Sequence, residues 1–516
     1  MARLLDLKVQ PVKRKVSGVS RSVPLVYRPI VKGNSGMSRS LFALACCVLS
    51  VLSGAASAGT LVNLKSPAPE GIDISFQLTD GRVLGQSFNE QHWYILTPDS
   101  KGSYVNGTWS RAADLPADYA PYAFAASVLA DGRVIVQGGE YNFGNFDLTK
   151  LGEVYNPKKN TWTKLKPPFP YIGDSGAGVL ADGRYFVLDK LNTKMAVLDS
   201  STMAWTQLPT NGKSDFNSEE GPVLLPDGSL LVVDVKNDPH TERYSLSDNT
   251  WHDAGNTPQS LKSPPCCGCQ PYGKKQKCYF PPGETGPAIL RPDGTVFATG
   301  ACHLGEPCSG GDKGHTAVYH PDSNNWTAGP DFPNGDDAGD NFATLLPSGN
   351  VLVAANSGNA YEFDGKVLKN QGVCICGQSL MILPTGEVLL GGDAVYQASG
   401  TYKAAWQPVI TSAPASVTRG TAYQISGKQF NGLSQANGFG DELMTYTNYP
   451  LVRITNNNTG HVFYARTHDH SSMGVATGNM AVSTNFDVPS GMETGASSLV
   501  VVANGIPSEP VSVTVN

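Results

Sequence analysis

The chain has 516 residues, with 56 Gly, 36 Pro, 16% charged residues and 9% aromatic residues, a composition that favours an all-β soluble protein over a helical or disordered one. Its formal net charge is −6, but residues 1–58 hold nine Lys/Arg and one Asp, which leaves −14 for the remainder. The negative charge of residues 59–516 argues against contacts with the phosphate backbone of a nucleic acid, so we predict no nucleic-acid partner.

The basic N-terminus contains a candidate export signal. An apolar run from Leu41 to Leu52 ends shortly before Ala56-Ser57-Ala58, a small-residue cleavage pattern. The run is too short to span a membrane, so we predict residues 1–58 as an N-terminal extension and signal peptide, with no integral membrane span. Export implies a secreted, periplasmic or cell-surface protein. Whether translation starts at Met1 or Met37 stays open.

Export also affects the interpretation of the cysteines. Eight follow the signal, and an even number in an oxidising compartment favours disulfides. Zinc is the alternative for the group between Cys266 and Cys278, but that group lacks a regular CxxC pair and a nearby His. The connectivity stays open for all eight, which are Cys266, Cys267, Cys269, Cys278, Cys302, Cys308, Cys374 and Cys376.

A ten-residue word recurs seven times between residues 72 and 386. Each copy closes on a Gly, which supplies the positive φ of a tight turn, and a β-branched run follows it. Each copy therefore predicts a strand, a turn and a returning strand. The copies are IDISFQLTDG, AFAASVLADG, DSGAGVLADG, EEGPVLLPDG, TGPAILRPDG, DNFATLLPSG and GQSLMILPTG, ending at Gly81, Gly132, Gly183, Gly228, Gly294, Gly349 and Gly386.

The spacing of the turn glycines, between 37 and 66 residues, is close to the period of a four-stranded propeller blade. We therefore predict a seven-bladed β-propeller over residues 59–407, with Thr60–Leu64 pairing with the last blade to close the ring. Seven unrelated hairpins in a long sandwich are the alternative. Six tryptophans are predicted on outer strands: Trp109, Trp162, Trp205, Trp251, Trp326 and Trp406.

Residues 408–516 change pattern. They contain seven short apolar or alternating segments at the spacing of a β-sandwich, beginning near Val409 and ending at Val515. We predict an immunoglobulin-like β-sandwich there. The predicted fold class is thus all-β, a propeller followed by a sandwich.

This arrangement resembles a known superfamily. Gly138-Gly139 and Gly391-Gly392 follow two of the hairpins, and Val502–Ser508 lies near the C-terminus. Together with the seven words they resemble the kelch-type galactose oxidase and glyoxal oxidase superfamily. That resemblance implies copper held by two Tyr and two His, with one Tyr cross-linked to an early-blade Cys. One of the His lies on a C-terminal-domain loop that enters the propeller axis, and His468 is similar to it in position.

Other positions depart from the superfamily pattern. The first cysteine after the signal is Cys266, so no early-blade Cys is present. The sixth and seventh words begin with Asp340-Asn341 and Gly377-Gln378 where a Tyr-His pair is expected. Tyr122 lies one residue away from the position of the oxidase Tyr. We therefore predict that the copper-radical site is absent in its known form.

The opening residues of the seven words are the candidate site. The first strand of each blade lines the axial channel, so these residues gather near one mouth of it. Converging carboxylates raise one another's pKa or recruit a cation. Calcium would suit the oxygen ligands, and copper would suit a mouth that also receives His468 and His470. The mouth candidates are Asp73, Asp174, Glu219, Glu220, Asp340, Asn341 and Gln378.

Two interpretations without any ligand stay open as well. In the first, the acids are solvated strand ends. In the second, the two histidines are loop residues held by hydrogen bonds. The preferred functional hypothesis is an exported binding module for extracellular glycans, a small molecule or another surface ligand. The alternatives are a copper-dependent oxidase with a non-standard ligand set and a carbohydrate-cleaving enzyme that uses paired carboxylates. The sequence leaves the choice between enzyme and binding module open, together with the oligomeric state.

Overall fold

The computed structural model describes residues 59–264, 283–302, 308, 311–438 and 448–516 in full. It describes the backbone alone at 268–272, 275–279, 439 and 444–445. The predicted signal, Cys266 and Cys267 lie outside these residues. Within them, no helix combines the length and the apolar character needed to cross a bilayer.

The repeats form seven four-stranded antiparallel sheets, one for each word. The chain begins with β1 (Thr60–Asn63). Sheet 1 contains β2 (Ile74–Gln77), β3 (Val83–Gln86), β4 (Trp93–Thr97) and β5 (Thr108–Arg111). After β6 (Pro121–Tyr122), sheet 2 begins with β7 (Ala125–Val128) and β8 (Val134–Gln137), is interrupted by β9 (Tyr141–Asn142) and β10 (Asn145–Phe146), and ends with β11 (Gly152–Asn156) and β12 (Thr161–Lys164). Sheet 3 contains β13 (Ala177–Val179), β14 (Tyr185–Leu188), β15 (Met195–Asp199) and β16 (Ala204–Leu208).

Sheet 4 contains β17 (Val223–Leu224), β18 (Leu230–Val233), β19 (His240–Ser245) and β20 (Thr250–Asn256), and a hairpin of β21 (Gly268–Tyr272) and β22 (Lys275–Tyr279) follows. Sheet 5 contains β23 (Ala288–Leu290), β24 (Val296–Thr299), β25 (Thr316–His320) and β26 (Asn325–Ala328). After a 3₁₀ turn at Pro333–Gly335, sheet 6 contains β27 (Phe342–Leu345), β28 (Val351–Ala354), β29 (Asn359–Phe363) and β30 (Leu368–Cys374). Sheet 7 contains β31 (Leu380–Ile382), β32 (Val388–Leu390), β33 (Ala394–Gln397) and, as its fourth strand, β1.

The predicted hairpins and ring closure are confirmed. All seven word-final glycines have φ between 79° and 88°, the left-handed region that a side chain makes costly. Strand β1 pairs antiparallel with β33, with Thr60 opposite Gln397. Neighbouring innermost strands contact one another in ring order for six of the seven pairs of sheets, including β31 of sheet 7 with β2 of sheet 1. The all-β propeller prediction is therefore confirmed.

One tryptophan lies elsewhere than predicted. Trp109 and four of its counterparts lie on the fourth strands of their sheets, but Trp406 lies in a 3₁₀ turn (Ala404–Trp406) against Gly349. The physical reason is the ring closure, because β1 already occupies the fourth position of sheet 7. The prediction of an outer-strand role for Trp406 was wrong.

The C-terminal strands form one folded-over sheet around a separate apolar core. The first half of β40 pairs with β39 and its second half, from Arg466, pairs with β41. A strand that changes partners in this way lets a sheet turn over on itself and enclose a core. The strands are β34 (Val409–Ser412), β35 (Ser416–Val417), β36 (Ala422–Lys428), β39 (Leu451–Asn456), β40 (Val462–His468), β41 (Val482–Asp487), β42 (Gly495–Ala503), β43 (Ile506–Pro507) and β44 (Val511–Val515), with β37 (Asn437–Phe439) and β38 (Met444–Thr445) outside the sheet.

The described residues between 434 and 449, which are 434–439, 444–445 and 448–449, contact the innermost strands of the ring, and we call them the central segment. Its strand β37 pairs with β27, and β38 pairs with β7. Asn437, which is 5% exposed, donates to the carbonyl of Leu380 at 2.7 Å and accepts from the hydroxyl of Thr344 at 2.7 Å. The segment therefore supplies backbone and side-chain partners to the innermost strands of several sheets.

Candidate functional site

The two ends of the innermost strands have different surroundings. The end that carries the turn glycines faces the C-terminal sheet, since the amides of Thr467 and Met473 donate to the carbonyls of Thr79 and Ala181 at 3.0 and 2.9 Å. The opposite end carries the first residues of the seven words. We call this second end the axial mouth.

Six ionisable side chains near the axial mouth act on one another electrostatically, and we call them the mouth cluster. Asp174 and Glu219 precede β13 and β17, and both form ion pairs with Lys190, which follows β14. Asp174 is fully buried and Glu219 is 5% exposed. Buried carboxylates require such compensation because their desolvation is costly. The members are Glu140, Asp174, Lys190, Glu219, Glu284 and Asp340.

The carboxyl groups of the cluster act on one another electrostatically. Burial, and then repulsion by Asp174, raises the pKa of Glu140 to about 8. Burial, and then repulsion by Asp340, raises the pKa of Glu284 to about 10. Burial raises the pKa of Glu219 to about 7 even though Lys190 acts in the opposite direction. Several of these groups therefore hold a proton near neutral pH and can donate as well as accept hydrogen bonds.

An aromatic platform adjoins the mouth cluster. It consists of Tyr122, Tyr141 and Phe146, which lie on the small sheet of β6, β9 and β10. Tyr122 and Phe146 each lie 6.1 Å from Tyr141 between ring centroids, and these two are 39% and 57% exposed. Burial, and then the charge of Glu140, raises the pKa of Tyr141 to about 12. The phenol therefore keeps its proton and lies within the field of the cluster.

The structure brings together Asp174, Glu219 and Asp340 from the predicted mouth residues. Asp73 instead couples to Glu90, and burial followed by that charge raises the pKa of Asp73 to about 7. The other three predicted residues have different surroundings. The amide of Asn341 donates to the carbonyl of Gly339 and to Asn356, the backbone NH of Gln378 donates to Ile375, and Glu220 faces a second cluster.

That second cluster is the Lys213 cage. The fully buried ammonium of Lys213 lies 3.1, 2.8, 3.5 and 2.6 Å from the carboxylates of Asp215, Glu220, Asp234 and Glu242. The Lys213 ammonium occupies the position that a cation would take among these oxygens. The cage is therefore a structural centre of sheet 4, separate from the mouth cluster.

The structure does not place His468 and His470 at the axial mouth. His468 bonds to Asp469 at 2.7 Å and to Asp487 at 3.2 Å, next to the residue whose amide bonds to Thr79 at the turn end. His470 bonds to Thr484 at 2.9 Å, and its ring stacks on Tyr449. Pairing of β40 with β41 fixes this loop at the turn end, and the central segment enters the ring instead. The two imidazoles therefore lie at the turn end, away from the carboxylates of the axial mouth, and the predicted site that joined them is not formed.

Sequence reasoning missed Lys190 and Glu140. It considered the residues that open each word, but the second strand of each hairpin runs back towards the mouth. Glu140 and Lys190 lie two or three residues beyond β8 and β14, so they arrive at the same end as Asp174. A search of the residues that directly follow each returning strand would have found Glu140 and Lys190 from the sequence.

The four cysteines with described side chains form two disulfides. Cys302 pairs with Cys308, and Cys374 pairs with Cys376. The sequence predicts disulfides, and for these four residues they are present. The side chains of Cys269 and Cys278 lie outside the described atoms.

No family model matches the chain, but two curated proteins are similar to part of it. An N-acetylneuraminate epimerase of Pasteurella multocida (strain Pm70) is 27% identical over 264 residues, which are 49% of this chain and 62% of the relative. The F-box/kelch-repeat protein SKIP30 of Arabidopsis thaliana is 23% identical over 149 residues, 29% of this chain and 38% of the relative. The chain thus spans less than two thirds of either relative.

Together with the seven sheets, these matches decide the architecture. The resemblance to the kelch and galactose oxidase-like superfamily is confirmed. Among solved structures, a copper complex of a fungal alcohol oxidase of the AA5 family aligns with a TM-score of 0.47 and 14% identity, over 89% of this chain and 99% of its own. A virginiamycin B lyase of Staphylococcus aureus aligns with a TM-score of 0.45 and 12% identity, over 66% of this chain and 99% of its own. Both scores are below 0.5, so the propeller architecture rests on the sheets themselves.

The resemblance drawn from the sequence implies copper, and the described residues of the mouth do not fit the ligand set that this resemblance implies. The mouth cluster offers carboxyl oxygens and one amine, and Lys190 already neutralises Asp174 and Glu219. Each of the eight described histidines bonds to a group outside the cluster: His92 to Glu70, His240 to Asp234, His252 to Asp248, His315 to Asp331, His320 to Thr327, His461 to Glu493, and His468 and His470 as above. Oxygen donors alone would suit calcium rather than copper.

Proposed function

We propose that the chain is an exported carbohydrate-binding protein whose axial mouth holds a sugar unit. The observation that carries this proposal is the aromatic platform beside the mouth cluster. A pyranose ring has apolar C–H faces and a rim of hydroxyl groups, so it needs both an aromatic surface and hydrogen-bonding groups.

The platform supplies the apolar surface. Phe146 is 57% exposed and Tyr122 is 39% exposed, so part of the apolar surface of each ring is accessible from the solvent. Their rings adjoin Tyr141 in tilted and edge-on arrangements. A sugar face could therefore cover two rings at once.

The mouth cluster supplies the polar partners. Carboxylates accept hydrogen bonds from hydroxyl groups, and protonated carboxyls such as that of Glu284 can donate one. Because Asp174 and Glu219 are held by Lys190 in a buried position, their orientation is fixed before the ligand arrives. Such preorganisation lowers the entropic cost of binding.

Export is part of the proposal. It is supported by the apolar run from Leu41 to Leu52 and by the disulfides Cys302–Cys308 and Cys374–Cys376, which persist in oxidising compartments. We propose a secreted, periplasmic or cell-surface location on these grounds.

The test is a glycan array followed by titration calorimetry with the best binder. We expect Phe146→Ala to weaken binding by about tenfold, because one stacked ring contributes roughly 1–1.5 kcal/mol. Met480→Ala in the C-terminal part, where the side chain is 51% exposed, is the control and should leave the affinity unchanged. Equal affinities for wild type and Phe146→Ala would contradict the proposed site, and an array without binders would contradict the function.

Acid–base chemistry on the bound sugar is the second candidate. It is favoured by the pKa values of about 8 for Glu140 and about 7 for Glu219, because groups that titrate near neutrality can give and take protons. Incubation of the array ligand with the protein, followed by mass and anomer analysis, tests this candidate. A ligand recovered unchanged after prolonged incubation would rule it out for that sugar.

A further inference from the structure

The connection between sheet 6 and sheet 7 carries an exposed disulfide. Cys374 ends β30, Cys376 lies two positions further along the chain, and the two form a disulfide. Both residues are exposed, whereas the other described disulfide joins the buried Cys302 to the half-buried Cys308. A dissolved thiol reacts with a disulfide only if it reaches a sulfur atom, so exposed disulfides are the labile ones. The Cys374–Cys376 pair therefore meets the first condition for thiol–disulfide exchange.

We propose that Cys374 and Cys376 form an exchange site for low-molecular-weight thiols. The thiolate of such a thiol attacks Sγ of one cysteine, the bond between the two Sγ atoms breaks, and the other cysteine leaves as a thiolate that takes up a proton. A second thiolate attacks the sulfur of the small molecule in this mixed disulfide, which yields the small-molecule disulfide and the second cysteine thiol. Two electrons thus pass from two thiols to the protein, and the reverse sequence closes the bond again.

Backbone contacts hold the turn that carries both sulfurs. A regular strand separates Cα atoms two positions apart by about 6.6 Å, but those of Cys374 and Cys376 are 5.2 Å apart. The amides of Ile375 and Cys376 donate to the carbonyl of Gly358 at 2.8 and 3.2 Å, and the amide of Gln378 donates to the carbonyl of Ile375 at 3.2 Å. Ile375 is fully buried. We therefore expect the two thiols to stay adjacent after reduction, so that the bond can close again without a search.

Two glycines leave space around the sulfurs. A Cβ at Gly358 would lie 3.2 Å from Sγ of Cys374 and 3.3 Å from Sγ of Cys376, so a side chain there would lie against both atoms. A Cβ at Gly377 would meet no atom within 4 Å. Neither residue has a side chain that could shield the disulfide, which leaves room for an incoming thiol.

A purely structural role accounts less well for this disulfide. The stabilisation that a cross-link gives by restricting the unfolded chain grows with the length of the loop it closes. The separation is 2 positions for Cys374–Cys376 and 6 for Cys302–Cys308, so the first pair restricts the unfolded chain less. Cys376 also has φ of 52°, which is uncommon for a residue with a side chain. Such conformations cluster at functional sites.

The test follows both described disulfides of the full chain in reduced glutathione. Samples taken over time are alkylated with iodoacetamide, and peptide mapping by mass spectrometry counts the free thiols of each pair, because trypsin cleaves between the pairs at Lys366. We expect Cys374–Cys376 to open at least about tenfold faster than Cys302–Cys308, since its sulfurs are accessible. Transfer of the reduced protein to glutathione disulfide should close the bond again.

Variants trap the intermediate and provide the control. Cys376→Ser removes the second thiol, so Cys374 should attack glutathione disulfide and keep one glutathione as a stable mixed disulfide. The double variant Cys302→Ser, Cys308→Ser retains the exposed pair and should open it at the wild-type rate. Circular dichroism of the wild-type protein, recorded once Cys374–Cys376 is open, should match that of the oxidised protein.

Three results would overturn the proposal. The first is opening of Cys374–Cys376 no faster than that of Cys302–Cys308. The second is a folded Cys376→Ser protein that takes up no glutathione at Cys374. The third is loss of the folded spectrum when the exposed pair opens, which would make the bond a structural cross-link. If Cys376→Ser does not fold, the two wild-type rates and the spectrum decide.

Discussion

Replacement of Lys213 by Met is expected to destabilise the protein severely. The ammonium is the shared partner of four carboxylates, at 2.6 to 3.5 Å, and the side chains involved are 0–2% exposed. Removal of one partner from a buried ion pair costs about 3–5 kcal/mol because the remaining charges stay buried without compensation. We therefore expect Lys213→Met to lower the free energy of unfolding by about 3–5 kcal/mol at pH 7.

The same variant should recover stability in acid. Burial already raises the pKa of Asp234 to about 6 and that of Glu220 well above its usual value, and loss of the ammonium would raise both further. The folded variant then binds more protons than its unfolded chain between pH 7 and 5, so its stability rises relative to wild type as the pH falls. The deficit should shrink by at least about 1 kcal/mol.

Urea denaturation of wild type and Lys213→Met at pH 7 and pH 5, followed by circular dichroism, measures both effects. Lys158→Met is the matched control, because Lys158 is 61% exposed and its ion pair with Asp487 measures 3.5 Å. Exposed pairs of this kind contribute about 0–1 kcal/mol. A Lys213→Met protein as stable as the Lys158→Met protein at pH 7, or a deficit that grows in acid, would refute the reasoning.

Three further predictions concern other parts of the fold. Gly81→Ala should lower the free energy of unfolding, measured by urea denaturation, by about 1–3 kcal/mol more than Gly294→Ala does. Both turns have positive φ, but only a Cβ at Gly81 would overlap the ring of Tyr464. Equal losses of stability in the two variants would contradict this contact. Burial lowers the pKa of His470 to about 3, so between pH 7 and 5 only the unfolded chain takes up a proton at this residue. The free energy of unfolding of wild type should therefore fall by about 1–2 kcal/mol more than that of His470→Asn over this range. Parallel pH profiles of stability would contradict this prediction. Asn437→Ala should cost about 1–3 kcal/mol, because the buried carbonyl of Leu380 loses its side-chain donor, while the hydroxyl of Thr344 keeps the carbonyl of Ala436 as an acceptor; a thermal melt close to that of wild type would refute this.

The repeated hairpins could be predicted because the information for each lies within ten residues. A Gly with positive φ between two apolar strands determines a turn whatever the rest of the chain does. Gly81 and Gly386 stand at opposite ends of the propeller sequence and adopt φ values of 79° and 86°. The closure by β1 was also predictable, because a strand without a word of its own precedes the first repeat and a ring removes free edges.

The candidate site was only partly predictable, because it combines residues from different sheets and different strands. Asp174, Glu219 and Asp340 open their words, and the radial arrangement alone brings them together. Lys190 lies two residues after a returning strand, and no spacing in the sequence links it to Glu219. The exchange of partners along β40 decides which C-terminal segment enters the ring, and such long-range pairing leaves no periodicity in the sequence.

The central segment ties the two predicted parts of the chain to one another. A chain that stopped at residue 407 would lack β37 and β38, so β27 and β7 would lose the backbone partners they have towards the centre of the ring. The polar groups of Thr344 and Leu380 that now bond to Asn437 would be left to water. The propeller is thus completed by residues encoded after it, and the central segment serves as its internal support.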